Sequence, residues 1–232
     1  MSDIQGATAD GGEPPPVEWI DLASNKPGQA ARARALEIRQ RAPIRVFVGR
    51  VLRVHNNERA WRVGADGEQE VARRLAKLPD GWCVIHAVPV GEKGSDIDHV
   101  IIGPGGVFTL NTKNHSSGKV WVAQNAFRVN GQKTDYLRNS LHEAQRATKL
   151  LSAACAINVP VTPVIVVMAQ SLTMKAKPDG VEVVGRKQIT KWLSARPPVL
   201  SPEMVDQIYH HARRDITWRP PGAAPPMTRR PR

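Results

Sequence analysis

Apolar residues recur at three- and four-residue steps through residues 58–78. Trp61, Ala65, Val71, Ala72, Leu75 and Leu78 share one helical face, with Glu68 inside that stripe and Glu70, Arg73, Arg74 and Lys77 pointing away. The spacing predicts an amphipathic helix. A second one is predicted over residues 136–154, with the stripe Leu137, Leu141, Ala144, Thr148 and Leu151, and Gln145 beside it next to His142. Strand patterns fall at 82–90, 118–123 and 126–129, the last two joined by a Gln124-Asn125 turn. Residues 161–169 form an apolar run of buried-strand length, and 181–184 a short strand after the Asp179-Gly180 turn. Helices are predicted at 187–195 and 202–213. His115-Ser116-Ser117-Gly118 reads as a loop just beyond Lys113, where His115 is either in reach of a substrate or, as is commoner for a lone loop histidine, merely exposed. This order of elements predicts an α/β sandwich built on a mixed sheet.

The most informative stretch is 94–113, GSDIDHVIIGPGGVFTLNTK. It reads as two strands joined by a tight turn at Gly103-Pro104-Gly105-Gly106. If Ile102 faces Val107, paired residue numbers sum to 209, so Asp98 stands opposite Asn111 and Asp96 opposite Lys113. Side chains alternate along a strand, so Asp96, Asp98, Val100 and Ile102 share a face with Val107, Thr109, Asn111 and Lys113. Two carboxylates, an amide and an ammonium then gather at the open end of a hairpin, as in a metal or phosphate site. The plainer alternative is a cross-strand Asp96–Lys113 ion pair, with Asp98 capping a turn. Glu68 poses a similar choice. A carboxylate on a buried face is costly unless a cation meets it, whereas at the stripe edge it is solvated or caps its own helix.

Charge sharpens the picture. The chain has 232 residues and a net charge of +12. Residues 1–25 carry −5, residues 26–63 carry +8, residues 64–211 carry +4 and residues 212–232 carry +5. Positive flanks around a nearly balanced core suit a polyanion, nucleic acid first; the plainer alternative for the tail is solvation. Residues 1–25, with Pro14-Pro15-Pro16, and the Arg/Pro-rich residues 215–232 are expected to be disordered. A basic helix is expected over residues 28–41 within an extension spanning 26–57, and residues 44–54 fit strand or helix. No apolar run approaches membrane-spanning length, and the acidic N-terminus lacks the apolar region of a signal peptide. Cys83 and Cys155 form neither a disulfide framework nor a metal knuckle, so a reducing cytoplasm is expected.

The motifs GADGEQEVARRLAKLP and SDIDHVIIGPGGVFTLNTKN, followed by the helix bearing Gln145, closely resemble the nuclease-related domain, NERD, of the PD-(D/E)xK restriction-endonuclease-like fold. The likeness runs from about Trp61 to about Ala195, within an expected domain over 58–214. It implies a four-stranded mixed sheet between helices and a divalent-metal-dependent nuclease, a hydrolase acting on DNA without strong sequence specificity. It places the family's Asp on Asp98, its Lys on Lys113, its helical Glu on Glu68 and its later Gln on Gln145. The implied metal is Mg²⁺ or Mn²⁺, held by Glu68, Asp98, Asn111 and the Thr112 carbonyl. Many nucleases of this fold are dimers, so a homodimer is compatible with it. One departure stands out: the usual acid two residues before the lysine is Asn111. A neutral amide there weakens the case for Mg²⁺. The alternative is an attenuated or inactive nucleic-acid-binding module.

Overall fold

The computed structural model describes residues 18–29, 32, 57–90 and 95–219. The basic helix expected over 28–41 therefore lies, apart from Gly28, Gln29 and Arg32, outside the described residues, as do residues 44–54 and the Trp61 side chain.

Helix α1 (Asn57–Leu75) buries Ala65, Val71, Ala72 and Leu75, as the stripe predicts. Its outer face is tied by Glu70 to Arg73 and Arg74, neighbours on the helical surface. Three strands follow: β1 (Cys83–Val90), β2 (Ser95–Gly103) and β3 (Gly106–Ala123). Strands β4 (Ala126–Val129) and β5 (Gln132–Thr134) form a small hairpin, and β5 has no counterpart in the sequence pattern. Helix α2 (Tyr136–Cys155) leads to β6 (Val161–Met174), β7 (Glu182–Gly185) and helices α3 (Ile189–Ser194) and α4 (Pro202–Ala212). The Ser201 side chain caps α4 by accepting from the Met204 N–H, with Pro202 just behind it. Among the described residues no helix is long and apolar enough to cross a membrane.

The seven strands make one mixed sheet rather than the expected four. β1, β2 and β3 are antiparallel in turn, and β6 lies parallel to both β3 and β7. The β2–β3 register pairs Ile102 with Val107 and Val100 with Thr109, as predicted. β3 is the spine of the sheet. One edge is held by β6 from Val107 to Val122, and the other is shared, with β2 covering Gly106 to Leu110 and β4 covering Val120 to Ala123.

The expected loop at 115–118 needs correction. It is strand, because β6 pairs with β3 on both sides of it and the irregularity shrinks to a register shift between His115 and Lys119. Polar residues there suggest a loop because the sequence does not reveal a partner strand that arrives only after α2.

Two apolar layers sandwich the sheet. Val100, Ile102 and Val107 pack against Ala147 and Leu151 of α2 and Val205 and Ile208 of α4. Ile101, Phe108 and Leu110 pack on the opposite face against Val71 and Leu75 of α1 and Ile189 and Leu193 of α3. The domain also extends further than the charge pattern implies. Leu22 is 4% exposed and Trp218 is 1% exposed, both within the α2/α4 layer. The disordered segments expected over 1–25 and 215–232 are thus corrected at their inner ends. Ile20 and Asp215 hydrogen-bond each other, and Trp218 donates its indole N–H to the Ala212 carbonyl at 2.8 Å. Residues 1–17 and 220–232 lie outside the described residues.

Candidate active site

β2 and β3 part company at the His99–Leu110 pair, and β4 joins the same edge of β3 only at Val120. Among the described residues this leaves Asn111 to Lys119 with no strand on that edge. Backbone groups on an uncovered edge must find other partners. Thr112 finds one in a side chain: its N–H donates to Asp98 Oδ2 at 2.5 Å. The split between the strands is therefore bridged by the carboxylate predicted to matter most.

The other groups converge on this split. Lys113 Nζ donates to Asn111 Oδ1 at 2.6 Å and lies 5.0 Å from the Tyr136 ring centroid. The Asn111 amide N–H in turn donates to Glu143 Oε2 of α2. From the other face of the sheet α1 brings Glu68, whose Oε2 accepts the Gly28 N–H at 2.9 Å. Helix α1 and the 18–29 segment approach closely there. A Cβ on Gly28, whose φ is +71°, would stand 2.9 Å from the Ala65 carbonyl oxygen. A Cβ on Gly67 would stand 2.9 Å from Asn114 Cβ, so α1 can lie against the Thr112–Asn114 stretch only because residue 67 has no side chain. Asn114 Nδ2 fixes the contact further by donating to the Val63 carbonyl at 2.9 Å.

Electrostatically the cluster is short of positive charge. Burial, followed by the nearby Asp98 charge, pushes Glu68 up to about 8. The same two causes push Glu143 up to about 7. Asp98 is itself raised by burial, against the pull of Lys113 and the Thr112 N–H, and burial raises Asp96. Carboxylates raised first by burial, and for Glu68 and Glu143 also by the Asp98 charge, beside the Lys113 ammonium have the character of a cation site. The donor set is all oxygen, as Mg²⁺ prefers. Among the described residues no three His, Cys, Asp or Glu side chains stand ready to cage an ion. Mg²⁺ does not need such a cage, since it keeps several waters and commonly uses one or two carboxylates. The residues present fit that mode of binding.

The structure thus brings together Glu68, Asp98, Asn111, Thr112 and Lys113. It does not bring Gln145 to them. Gln145 is exposed and lines a separate cavity of about 340 Å³ with Leu141, Thr148, Lys177 and Glu182. The α2 residue that reaches the cluster is Glu143. The signal is present in the sequence: Tyr136, Ser140, Glu143 and Ala147 follow one another at four-, three- and four-residue steps, a line just beside the apolar stripe. His115, expected to be exposed, is half-buried. It stacks on Tyr136 with ring centroids 5.8 Å apart, and its Nε2 is 3.2 Å from the tyrosine hydroxyl.

The mixed sheet thus presents an Asp and a Lys on adjacent strands, with acids delivered by helices from both faces. The nuclease-related domain (NERD) family model, which belongs to the restriction-endonuclease-like superfamily, matches residues 63–168. An uncharacterized protein of Bacillus anthracis is 34% identical over 98 residues, 39% of this chain and 45% of the relative. The match therefore spans less than half the length of that curated relative. No solved structure matches the chain.

Proposed function

We propose that this protein is a divalent-metal-dependent phosphodiester hydrolase acting on DNA. The observation that carries the proposal is the split between β2 and β3, where Asp98, Lys113 and Glu68 meet around Thr112. Asp98, Glu68 and the Thr112 carbonyl are the groups that would hold Mg²⁺ or Mn²⁺. Bound there, the ion supplies Lewis-acid polarisation of the phosphodiester and a more acidic bound water. Lys113 places its ammonium at the same opening, where it stabilises charge building on a phosphate oxygen. The Tyr136 ring lies beneath that ammonium, where a cation–π contact helps hold it in place. Arg-rich stretches flanking the domain hold the nucleic-acid backbone without reading sequence.

Asn111 favours a second reading, an attenuated nucleic-acid-binding module. Its amide oxygen is already engaged by Lys113, which leaves it a poor ligand. A plasmid-nicking assay with Mg²⁺ or Mn²⁺ separates the two. Cleavage by wild type that disappears in Asp98→Ala and Lys113→Ala is the expected result. Salt-sensitive DNA binding without cleavage, together with cleavage gained in Asn111→Glu, would replace the first reading by the second.

A further inference from the structure

Asn111 is 9% exposed, and its amide has a direction. Lys113 can only donate, so the contact at 2.6 Å assigns the amide oxygen to the lysine. The amide nitrogen is then committed to Glu143 Oε2. Glu143, Asn111 and Lys113 form one hydrogen-bonded chain that runs from helix α2 through strand β3. The carboxylate missing from position 111 is present one hydrogen bond away, on the facing helix. It remains within electrostatic reach of both Asp98 and Lys113. The Glu143 carboxylate has a second oxygen, for which no hydrogen bond exists among the described residues.

We infer that Glu143 takes over the acid's role at this site: its carboxylate ligates the divalent cation together with Asp98, and Asn111 serves to position it against Lys113. This rests on the metal-dependent reading proposed above. The displacement from strand to helix conserves the charge of the site while changing the side of the cleft from which it comes. It also explains why an exposed Gln145 need play no part.

The decisive experiment is Mn²⁺ titration calorimetry on the full chain, comparing wild type, Glu143→Gln, Asp98→Ala and the double variant Asn111→Glu/Glu143→Gln. Thermal melts without metal run beside it. Glutamine keeps an oxygen to accept the Asn111 N–H, so Glu143→Gln is expected to melt near wild type. Its Mn²⁺ affinity should fall by on the order of tenfold or more, as for loss of a supporting metal contact. The double variant, which moves the acid back to the strand, should recover it. Wild-type affinity in Glu143→Gln, with affinity lost in Asp98→Ala, would overturn the role of Glu143 and leave a metal site built without it. Absence of Mn²⁺ binding and nicking in wild type would overturn both.

Discussion

Replacing Glu68 by glutamine should stabilise the protein, and increasingly so as pH rises. Burial and the neighbouring Asp98 lift the Glu68 carboxyl from its ordinary 4.5 to about 8 in the folded state. Between those values the folded protein holds a proton that the unfolded chain has released. Stability therefore falls with rising pH, by up to about 1.4 kcal/mol per pH unit for one such group. Over the whole interval the ceiling is on the order of 4–5 kcal/mol, and sharing of protons with Asp98 brings the expected effect to about 2–3 kcal/mol. The glutamine would keep an acceptor for the Gly28 N–H and remove only the charge. Urea unfolding followed by tryptophan fluorescence, with buried Trp218 as a reporter, measures this at pH 5, 6, 7 and 8. The two proteins should nearly coincide at pH 5, with the variant ahead at pH 8. Saturating Mg²⁺ at pH 8 should narrow the gap by stabilising wild type more. Parallel stability curves from pH 5 to 8 would refute the reasoning, since Glu68 would then ionise like a solvated surface carboxylate.

His99 gives the opposite slope. Buried against His86 with ring nitrogens 2.8 Å apart, it is pushed down to about 3, so stability is lost as pH falls below the ordinary imidazole range; His99→Leu should flatten the acid limb of unfolding between pH 6.5 and 4. Gly67→Val drives a side chain into Asn114 and Thr112 and should cost roughly 1–3 kcal/mol in thermal unfolding as α1 is pushed off the sheet. Trp218→Ala should cost about 3–5 kcal/mol, measured by urea denaturation, despite lying outside the family match.

Legibility in the sequence follows the range of the interactions. The β2–β3 register is readable because strict alternation around a tight Gly/Pro turn leaves one pairing that buries Val100, Ile102 and Val107 together. Glu68 is readable because a charge stands inside an otherwise apolar helical line. The passage of β3 through His115–Gly118 is not, since its cause is a parallel partner reached only after α2. Nor are Leu22 and Trp218, which are buried by each other's end of the domain. Choosing Glu143 over Gln145 requires knowing which side of α2 meets the sheet. Two residues of helix turn the side chain by about 200°, so a small error in facing exchanges a site residue for a solvent one.

The clasp formed by Ile20, Leu22, Arg213 and Asp215 makes the domain a ring closed by hydrogen bonds. Residues 195 apart in sequence meet there, and gathering so long a loop costs on the order of 5 kcal/mol of chain entropy. The clasp thus forms at the expense of order gained elsewhere. The segment it anchors leads to Gly28 and its hold on Glu68. A short covalent linker between residues 18 and 219 would remove that entropy from the unfolded chain. It would also permit the ring to be opened afresh at the Gln124-Asn125 tip, giving a permuted protein whose new ends lie on the β3–β4 hairpin.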